Sequence, residues 1–308
     1  MGKATRAAYG ETLVKLVDEG HDIVAVDADL SGSTTTAKLG AAYPERLINA
    51  GIAEANMTGV AAGLAKEGKI AFTGSFAIFG TGRAWEQIRN TICYNNLNVK
   101  LAPTHAGVTV GPDGGSHQAL EDIALMRVLP HMKVLVPADY SAAKSAIRLA
   151  ASTPGPFYIR LGRMEAADIY DEAFACELGG AQILRAGTDV TIAACGIEVG
   201  EALKAADILA DEGCAAEVID VYCIKPLDVE TLVASVRKTG RIVTCEEHSV
   251  LAGMGSAISE VLSELCPVPT RRIGIVDTFG ESGDPRALIE HFNLDAPSIA
   301  AAARELMG

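Results

Sequence analysis

Short runs of consecutive apolar residues alternate with longer segments rich in small residues along most of the chain. The runs DIVAVD (22–27), IAFTGS (70–75) and KVLVPA (133–138) are typical of strands. The segments that begin at Ala53 and Ser141 have the length of helices. Strands that alternate with helices in this way predict a mostly parallel, doubly wound α/β sheet.

An acidic and irregular stretch interrupts this alternation after Arg163. A second series of strands and helices starts at DVTIAAC (189–195). The chain length of 308 residues also suggests two domains. We therefore predict a first α/β domain over residues 1–165, a linker over 166–188 and a second α/β domain over 189–308.

Composition and charge argue against several function classes. The formal net charge of -13 predicts a poor nucleic-acid binder, and the sequence has no polybasic patch for a membrane surface. Seven cysteines at irregular spacings indicate a reducing compartment, with neither a disulfide framework nor a zinc site. The N-terminal segment lacks the apolar core of a signal peptide, and no run is long enough to span a bilayer. These features predict a cytoplasmic protein.

Polar and aromatic residues follow the predicted strands of the first domain at the points where the strands end. Taken in chain order, they are Asp29, Glu54, Phe76 with Phe79, His105, and Arg160 with Arg163. Open parallel sheets bind ligands beyond the carboxyl ends of their strands. The sequence therefore predicts one site to which several strand ends contribute.

Two of these positions allow a structural and a functional interpretation. Glu54 lies in a run of mostly apolar residues from Ile52 to Met57, where a carboxyl group must be paired or else favours its protonated form. The structural alternative is that Glu54 begins the following helix and interacts with its dipole. Phe76 and Phe79 either pack in the core or offer a stacking surface for an aromatic ring.

A glycine-rich loop, GVTVGPDGGSH (107–117), carries Asp113 and His117 and follows His105. Such a concentration of polar groups in a long loop is unusual for a simple connection, although single histidines are often structural. Metal binding is a weaker alternative because no recognised ligand spacing occurs, and we predict no metal ligand in this chain.

Three arginines, Arg6, Arg160 and Arg163, are candidates for contacts with an anion in an otherwise acidic protein. The alternative for each is a surface ion pair. The sequence has no phosphate-cradling P-loop, and the G-M-G of residues 253–255 lacks the third glycine of a dinucleotide fingerprint.

The segments INAGIAEANMTGVAAGLA, SFAIFGTGRAWEQIRN and THAGVTVGPDGGSHQALEDIALMRVLP, in this order, closely resemble the pyrimidine-binding domain of transketolases. VDTFGESGD is similar to the C-terminal domain of that family. The resemblance covers essentially the whole chain and extends to the separate C-terminal subunit of split transketolases. It implies a thiamine-diphosphate enzyme that moves a two-carbon ketol unit from a ketose phosphate to an aldose acceptor.

The resemblance implies a role for each residue that faces the cofactor. Glu54 matches the glutamate that hydrogen-bonds to N1′ of the aminopyrimidine and so promotes proton removal from C2 of the thiazolium. Phe76 and Phe79 match aromatic residues that pack around the pyrimidine, and Asp29 matches an acidic residue near the cofactor. His117 matches a histidine that contacts the sugar donor and assists proton transfer.

The resemblance also implies the substrate contacts. Asp113 matches a residue that reads the stereochemistry of a sugar hydroxyl. Arg6, Ser33, His105 and Arg163 match positions that hold the substrate phosphate, for which the arginine fork is well suited.

The sequence departs from the family pattern in two respects. Gly82 stands where some members carry a tyrosine in the cofactor pocket. The G-D-G…N motif, which binds the diphosphate and a divalent metal (Mg or Ca), does not occur, since Gly283-Asp284-Pro285 lacks the second glycine and the asparagine. The resemblance therefore implies a partner subunit that carries this motif and holds most of the metal site, in an α2β2-type assembly.

Two alternatives for the function stay open. One is the β subunit of a 2-oxoacid dehydrogenase E1, although the arginine and histidine set and the F-G-E-S-G segment favour the sugar enzyme. The other is a non-catalytic partner module, which the presence of Glu54, Phe79 and His117 disfavours. A donor from the pentose phosphate pathway is the default expectation, and a specialised or sulfonated sugar would use a similar scaffold.

Overall fold

Two β-sheets form the centre of the structure, a computed structural model that describes residues 2–308. In chain order the strands are β1 (Ile23–Asp27), β2 (Leu47–Asn49), β3 (Ile70–Gly74), β4 (Val99–Leu101), β5 (Lys133–Leu135), β6 (Phe157–Ile159), β7 (Gln182–Arg185), β8 (Val190–Ala194), β9 (Ala216–Asp220), β10 (Cys223–Lys225), β11 (Ile242–Ser249) and β12 (Thr270–Ile275).

The first sheet has the order β10-β5-β6-β4-β3-β1-β2, and the second has the order β12-β11-β8-β9-β7. Strands β1 to β6 pair in parallel, as do β8, β9, β11 and β12. β10 and β7 pair antiparallel to their neighbours, each at the edge of its sheet. The prediction of two doubly wound, mostly parallel α/β sheets is confirmed.

Helices cover the faces of both sheets. They are α1 (Ala7–Asp18), α2 (Ser31–Thr34), α3 (Ala37–Ala42), α4 (Glu54–Lys66), α5 (Trp85–Gln87), α6 (Asp122–Arg127), α7 (Tyr140–Ser152), α8 (Glu198–Asp211), α9 (Val229–Thr239), α10 (Met254–Leu265), α11 (Pro285–His291) and α12 (Ala296–Met307), with 3₁₀ turns at Pro44–Arg46 and Val108–Asp113. None of the helices in the described part of the chain has both the length and the apolar character that crossing a membrane requires.

The segment TGRAWEQIRNTICYNN (81–96) has a sequence typical of a helix, but it differs from a regular α-helix. Two π-helical segments, Ile78–Arg83 and Ile88–Cys93, enclose the short α5. Apolar periodicity does not distinguish a π-turn from an α-turn, so the π-helical geometry could not be predicted. π-Turns are often found at functional sites, and the first of these segments carries Phe79 and Arg83.

Two short edge strands were not predicted. β7 lies within the segment predicted as a linker and pairs with β9, so the second sheet includes residues before 189. β10 follows β9 in the chain but joins the first sheet beside β5. Both strands are only three or four residues long, and β7 is largely exposed, so neither has a strong apolar pattern.

One of the apolar clusters spans both sheets. A single cluster includes Met126 and Val136 from the first domain together with Val221 and Met254 from the second. This shared cluster and the crossing strand β10 fix the second domain against the edge of the first sheet.

Candidate active site

Phe76 and His105 lie at the carboxyl ends of the neighbouring strands β3 and β4. The backbone of Phe76 pairs with Thr104 beyond the last regular ladder positions. This pairing places the two side chains on top of each other, with ring centroids 3.8 Å apart and planes inclined by 23°. The predicted meeting of residues from separate strand ends is therefore found for this pair.

His105 is held as a neutral imidazole. Its φ of 61° lies in the left-handed region, which indicates a backbone conformation imposed by its surroundings. Burial, reinforced by Arg6 and Arg163, lowers the pKa of His105 to about 3. Since Arg6 Nη1 can only donate to Nε2, at 3.4 Å, we assign the ring proton to Nδ1, which donates to Thr104 Oγ1 at 2.7 Å.

Arg6 adds a half-buried positive charge beside this imidazole. Its Nη1 also donates to the main-chain oxygen of Ser33, at 3.0 Å. Burial and the nearby guanidinium of Arg163 lower the pKa of Arg6. Among residues 2–308, no carboxylate lies within ion-pair distance of Arg6. Two guanidinium groups in this arrangement favour binding of an anion.

Asp27 organises the segment that contains Ser33. Its buried carboxylate accepts hydrogen bonds from the amide of Leu30 at 2.6 Å and from the hydroxyls of Thr34 and Thr36 at 2.8 Å each. Burial raises the pKa of Asp27. The role of this residue as an anchor of the 30–36 segment was not predicted.

Arg163 and Asp113 form an ion pair across the glycine-rich loop. Arg163 Nη1 lies 3.2 Å from Asp113 Oδ1 and donates to the main-chain oxygen of Val110 at 2.7 Å. About a third of each charged side chain is exposed, 35% for Arg163 and 34% for Asp113. Arg163 thus lies near Arg6 and also contacts the loop that carries Asp113.

Glu54 is buried and paired. It is the first residue of α4, and its side chain is only 4% exposed. Arg83 Nη1 lies 3.4 Å from both carboxylate oxygens. The guanidinium of Arg83 also lies over the ring of Phe79, at 4.2 Å from its centroid. Both interpretations of Glu54 agree with the structure, since the residue begins α4 and its buried carboxylate is paired with Arg83. Arg83 was missed because only the folded chain brings it there.

Four rings form one cluster. Phe76 and Phe79 are nearly parallel, with centroids 6.1 Å apart, and His117 packs edge-on against Phe79 at 5.2 Å. The hydroxyl of Ser116 lies 3.0 Å from Nδ1 of His117. His105 is the fourth ring of this cluster. Phe76 and His105 are buried, whereas Phe79 and His117 are only partly buried and form an accessible aromatic surface.

Asp29 lies apart from the ring cluster. It is exposed at the end of β1, with a φ of 65°, and accepts a hydrogen bond from Asn49 Nδ2 at 2.8 Å. Its role toward a cofactor stays a prediction.

Arg160 was wrongly placed among the anion contacts. Its side chain is 6% exposed and forms a buried ion pair with Asp122, with Nε 2.7 Å from Oδ2. Tyr158 donates to the same carboxylate, and Arg160 Nη2 donates to the main-chain oxygen of Glu247 at 2.8 Å. Arg160 therefore connects the two domains, and its distant acidic partners could not be identified from local sequence.

Comparisons with family models, curated proteins and solved structures all indicate the same family. The model of the transketolase pyrimidine binding domain matches residues 1–167, and that of the transketolase C-terminal domain matches residues 179–299. A protein of Methanocaldococcus jannaschii named as a transketolase C-terminal section is 47% identical over 308 residues, which cover 99% of this chain and 96% of that protein.

Two further relatives are subunits or products of split genes. A 6-deoxy-6-sulfo-D-fructose transketolase subunit of Clostridium sp. (strain MSTE9) is 44% identical over 98% of this chain and 94% of its own length. A solved structure described as a split gene transketolase, inactive β4 tetramer, is 50% identical with a TM-score of 0.92, and the match covers 100% of this chain and 99% of that one.

Proposed function

The chain belongs to the transketolase family, and we propose that it is the C-terminal subunit of a two-chain transketolase. In this proposal the complex transfers a two-carbon ketol unit from a ketose phosphate to an aldose acceptor. The observation that carries it is one continuous series of contacts, which runs from Glu54 through Arg83, Phe79 and Phe76 to His105 and then to Arg6. A carboxylate, a ring surface and an anion cluster are thereby joined in one site.

The residues present fit the pyrimidine end of thiamine diphosphate, which membership of this family implies. A flat heteroaromatic ring needs an apolar, aromatic wall and one acidic partner for a ring nitrogen, and Phe76, Phe79 and Glu54 provide these groups. The contacts of Glu54 with Arg83 are long, at 3.4 Å, and leave its oxygens able to take a further hydrogen bond. When bound, the cofactor supplies the electron sink for cleavage of the carbon–carbon bond.

The substrate side of the site would use the residues around the loop 107–117. Arg6 and Arg163 would hold the anionic end of the sugar, and the neutral His105 would orient Arg6 without competing for the anion. His117 is bonded to Ser116 through Nδ1, which leaves Nε2 to exchange a proton with a sugar oxygen. The carboxylate of Asp113 would accept a hydrogen bond from a sugar hydroxyl.

The diphosphate and its divalent metal would be held mainly by a partner subunit. Within residues 2–308, no group of three or more His, Cys, Asp or Glu is arranged to hold a metal ion. The relative described as a β4 tetramer is also described as inactive, which supports the dependence of such a chain on a different subunit. An α2β2-type assembly with a chain that carries G-D-G…N would complete the site.

Co-expression with a chain that carries G-D-G…N tests this proposal. We expect the purified pair, with thiamine diphosphate and Mg²⁺ or Ca²⁺, to convert xylulose 5-phosphate and ribose 5-phosphate, and the isolated chain to show no turnover. Glu54→Ala should abolish turnover of the pair without preventing its assembly. Full activity of the Glu54→Ala pair, or turnover by this chain alone, would contradict the proposal.

The identity of the donor is a second question for the same assay. One relative, 44% identical, is named for a sulfonated fructose, and a sulfonate is an anion that the cluster of Arg6 and Arg163 could also hold. The assay therefore includes a sulfonated ketose beside the phosphorylated one. Reduction of a lipoyl acceptor by the pair would instead favour the 2-oxoacid dehydrogenase alternative.

A further inference from the structure

The glycine-rich loop that carries Asp113 and His117 contains little regular structure of its own. It has a 3₁₀ turn over Val108–Asp113, which is broken at Gly111 by a φ of 82°. Gly107 and Gly114 also have positive φ values, of 81° and 75°. A backbone with three such glycines has many alternative conformations, so its position must be fixed by neighbouring groups.

The second domain supplies these groups through Glu247 on β11. Its Oε1 accepts a hydrogen bond from the main-chain amide of Thr109, at 2.6 Å. The Glu247 side chain is 2% exposed, and a Cβ atom at Gly107 would collide with its carboxyl group. The carboxylate therefore lies against the loop at residues 107 and 109, and only glycine is accommodated at 107.

The segment from Gly280 to Pro285 supports the other half of the loop. The hydroxyl of Ser282 donates to the main-chain oxygen of Pro112 at 2.6 Å. Gln118 Nε2 donates both to Val108 at 3.0 Å and to the main-chain oxygen of Glu281 at 2.8 Å. This segment includes most of the F-G-E-S-G motif (279–283). The motif that resembles the family therefore lies at the contact between the two domains.

We propose that Glu247 and Ser282 are positioning residues of the second domain, which fix the 107–117 loop so that His117 and Asp113 reach the substrate. The inference rests on the proposed function of that loop. It assigns to the second domain a part in the reaction, although none of its residues touches the substrate in this scheme. A displacement of reacting groups by about 1 Å can reduce the rate on the order of a hundredfold.

A neighbouring residue on the same strand provides a matched control. Glu246 is also buried, at 1% exposed, but its oxygens accept from the amides of Met254 at 2.7 Å and Gly255 at 2.8 Å, at the start of α10. Replacing Glu246 removes a buried carboxylate that serves only the second domain. Replacing Glu247 removes one whose Oε1 serves the loop and whose Oε2 lies 3.9 Å from Arg160 Nη1.

Hydrogen exchange of the full chain tests the proposal without reference to activity. Glu247→Ala should accelerate exchange of the Thr109 amide and of the 107–117 segment by about tenfold or more, because its acceptor is lost. Glu246→Ala should leave that segment within about twofold of wild type and instead accelerate exchange at the start of α10. Glu247→Gln retains an acceptor oxygen and should restore most of the protection.

Kinetics of the reconstituted pair supply the second measurement. Glu247→Ala should lower kcat/KM for the donor by about tenfold to a hundredfold, while half-saturation by thiamine diphosphate changes by less than about twofold. Ser282→Ala, an exposed change that folding should tolerate, should produce a smaller loss of the same kind. If the wild-type pair transfers no ketol unit, the proposed function fails, but the exchange experiment still decides whether Glu247 fixes the loop.

Two results would overturn the inference. One is unchanged exchange of the 107–117 segment in both Glu247→Ala and Ser282→Ala. The other is equal acceleration of that segment by Glu246→Ala, which would show a general loss of stability. Should Glu247→Ala fail to fold, Glu247→Gln and Ser282→Ala decide between the outcomes by the same exchange measurement.

Discussion

The imidazole of His105 stacks on the ring of Phe76, with centroids 3.8 Å apart. This contact joins the part of the site proposed for the cofactor to the part proposed for the substrate anion. Because the buried imidazole is neutral, it adds no positive charge beside Arg6 and Arg163.

Replacement of Arg6 should weaken binding of the donor. A charge-assisted hydrogen bond contributes about 1.5–3 kcal/mol, so Arg6→Ala should raise the donor KM by about tenfold to a hundredfold with a smaller effect on kcat. Arg148→Ala removes the same charge from an exposed ion pair with Glu19 and serves as the control. Steady-state kinetics of the reconstituted pair check this expectation, and an equal effect of both variants would count against an anion site at Arg6.

The stability of the protein should depend on pH through His105. The pKa is about 3 in the folded state and about 6.5 in a model peptide, so the unfolded state binds more protons between these values. The contribution of the neutral ring is fully present above pH 6.5 and is lost as the pH falls toward 3.

Thermal melts between pH 7.5 and 4 of wild type and His105→Gln check this dependence. Since the variant cannot titrate at this position, its stability should fall less steeply below about pH 6.5, by up to about 1.4 kcal/mol for each pH unit. Parallel curves for the two proteins would show that His105 is not held neutral.

Arg160 should be important for stability rather than for substrate binding. Breaking a buried ion pair by removing one partner costs about 3–5 kcal/mol, so Arg160→Ala should lower the free energy of unfolding by an amount in this range. Arg163→Ala, at a partly exposed position three residues away, should change the donor KM more than the stability. Chemical denaturation and kinetics of both variants separate the two roles, and the reverse assignment would contradict the structure.

Gly82 should accept a tyrosine. The position is exposed in a π-helical segment, and an added Cβ atom would find no other atom within 4 Å. Gly82→Tyr should therefore change the free energy of unfolding by less than about 1 kcal/mol. If the side chain joins the pocket wall, as a tyrosine does in some family members, half-saturation by thiamine diphosphate should occur at a lower concentration. A large loss of stability would show that the space is closed to a side chain.

Much of the first domain's site could be predicted, because parallel strands end at one edge of a sheet and the polar residues follow those ends directly in the chain. Local sequence placed His105 after β4 and Phe76 after β3, and the structure brings them together. The prediction for Arg160 was based on its position at the end of a strand, and it failed because that position does not identify the group that the side chain contacts. A strand-end arginine can face a ligand or a buried carboxylate, and only the position of Asp122 decides between them.

The sequence by itself determined the two α/β units, the alternation of strands with helices, and the set of residues at the strand ends. These features follow from short-range apolar patterns. The tertiary structure alone decided the partners of those residues: Arg83 for Glu54, Thr109 for Glu247, and β5 for β10. Each of these pairs joins groups far apart in the chain or across two domains. Such contacts depend on the packing of whole elements and leave no local pattern in the sequence.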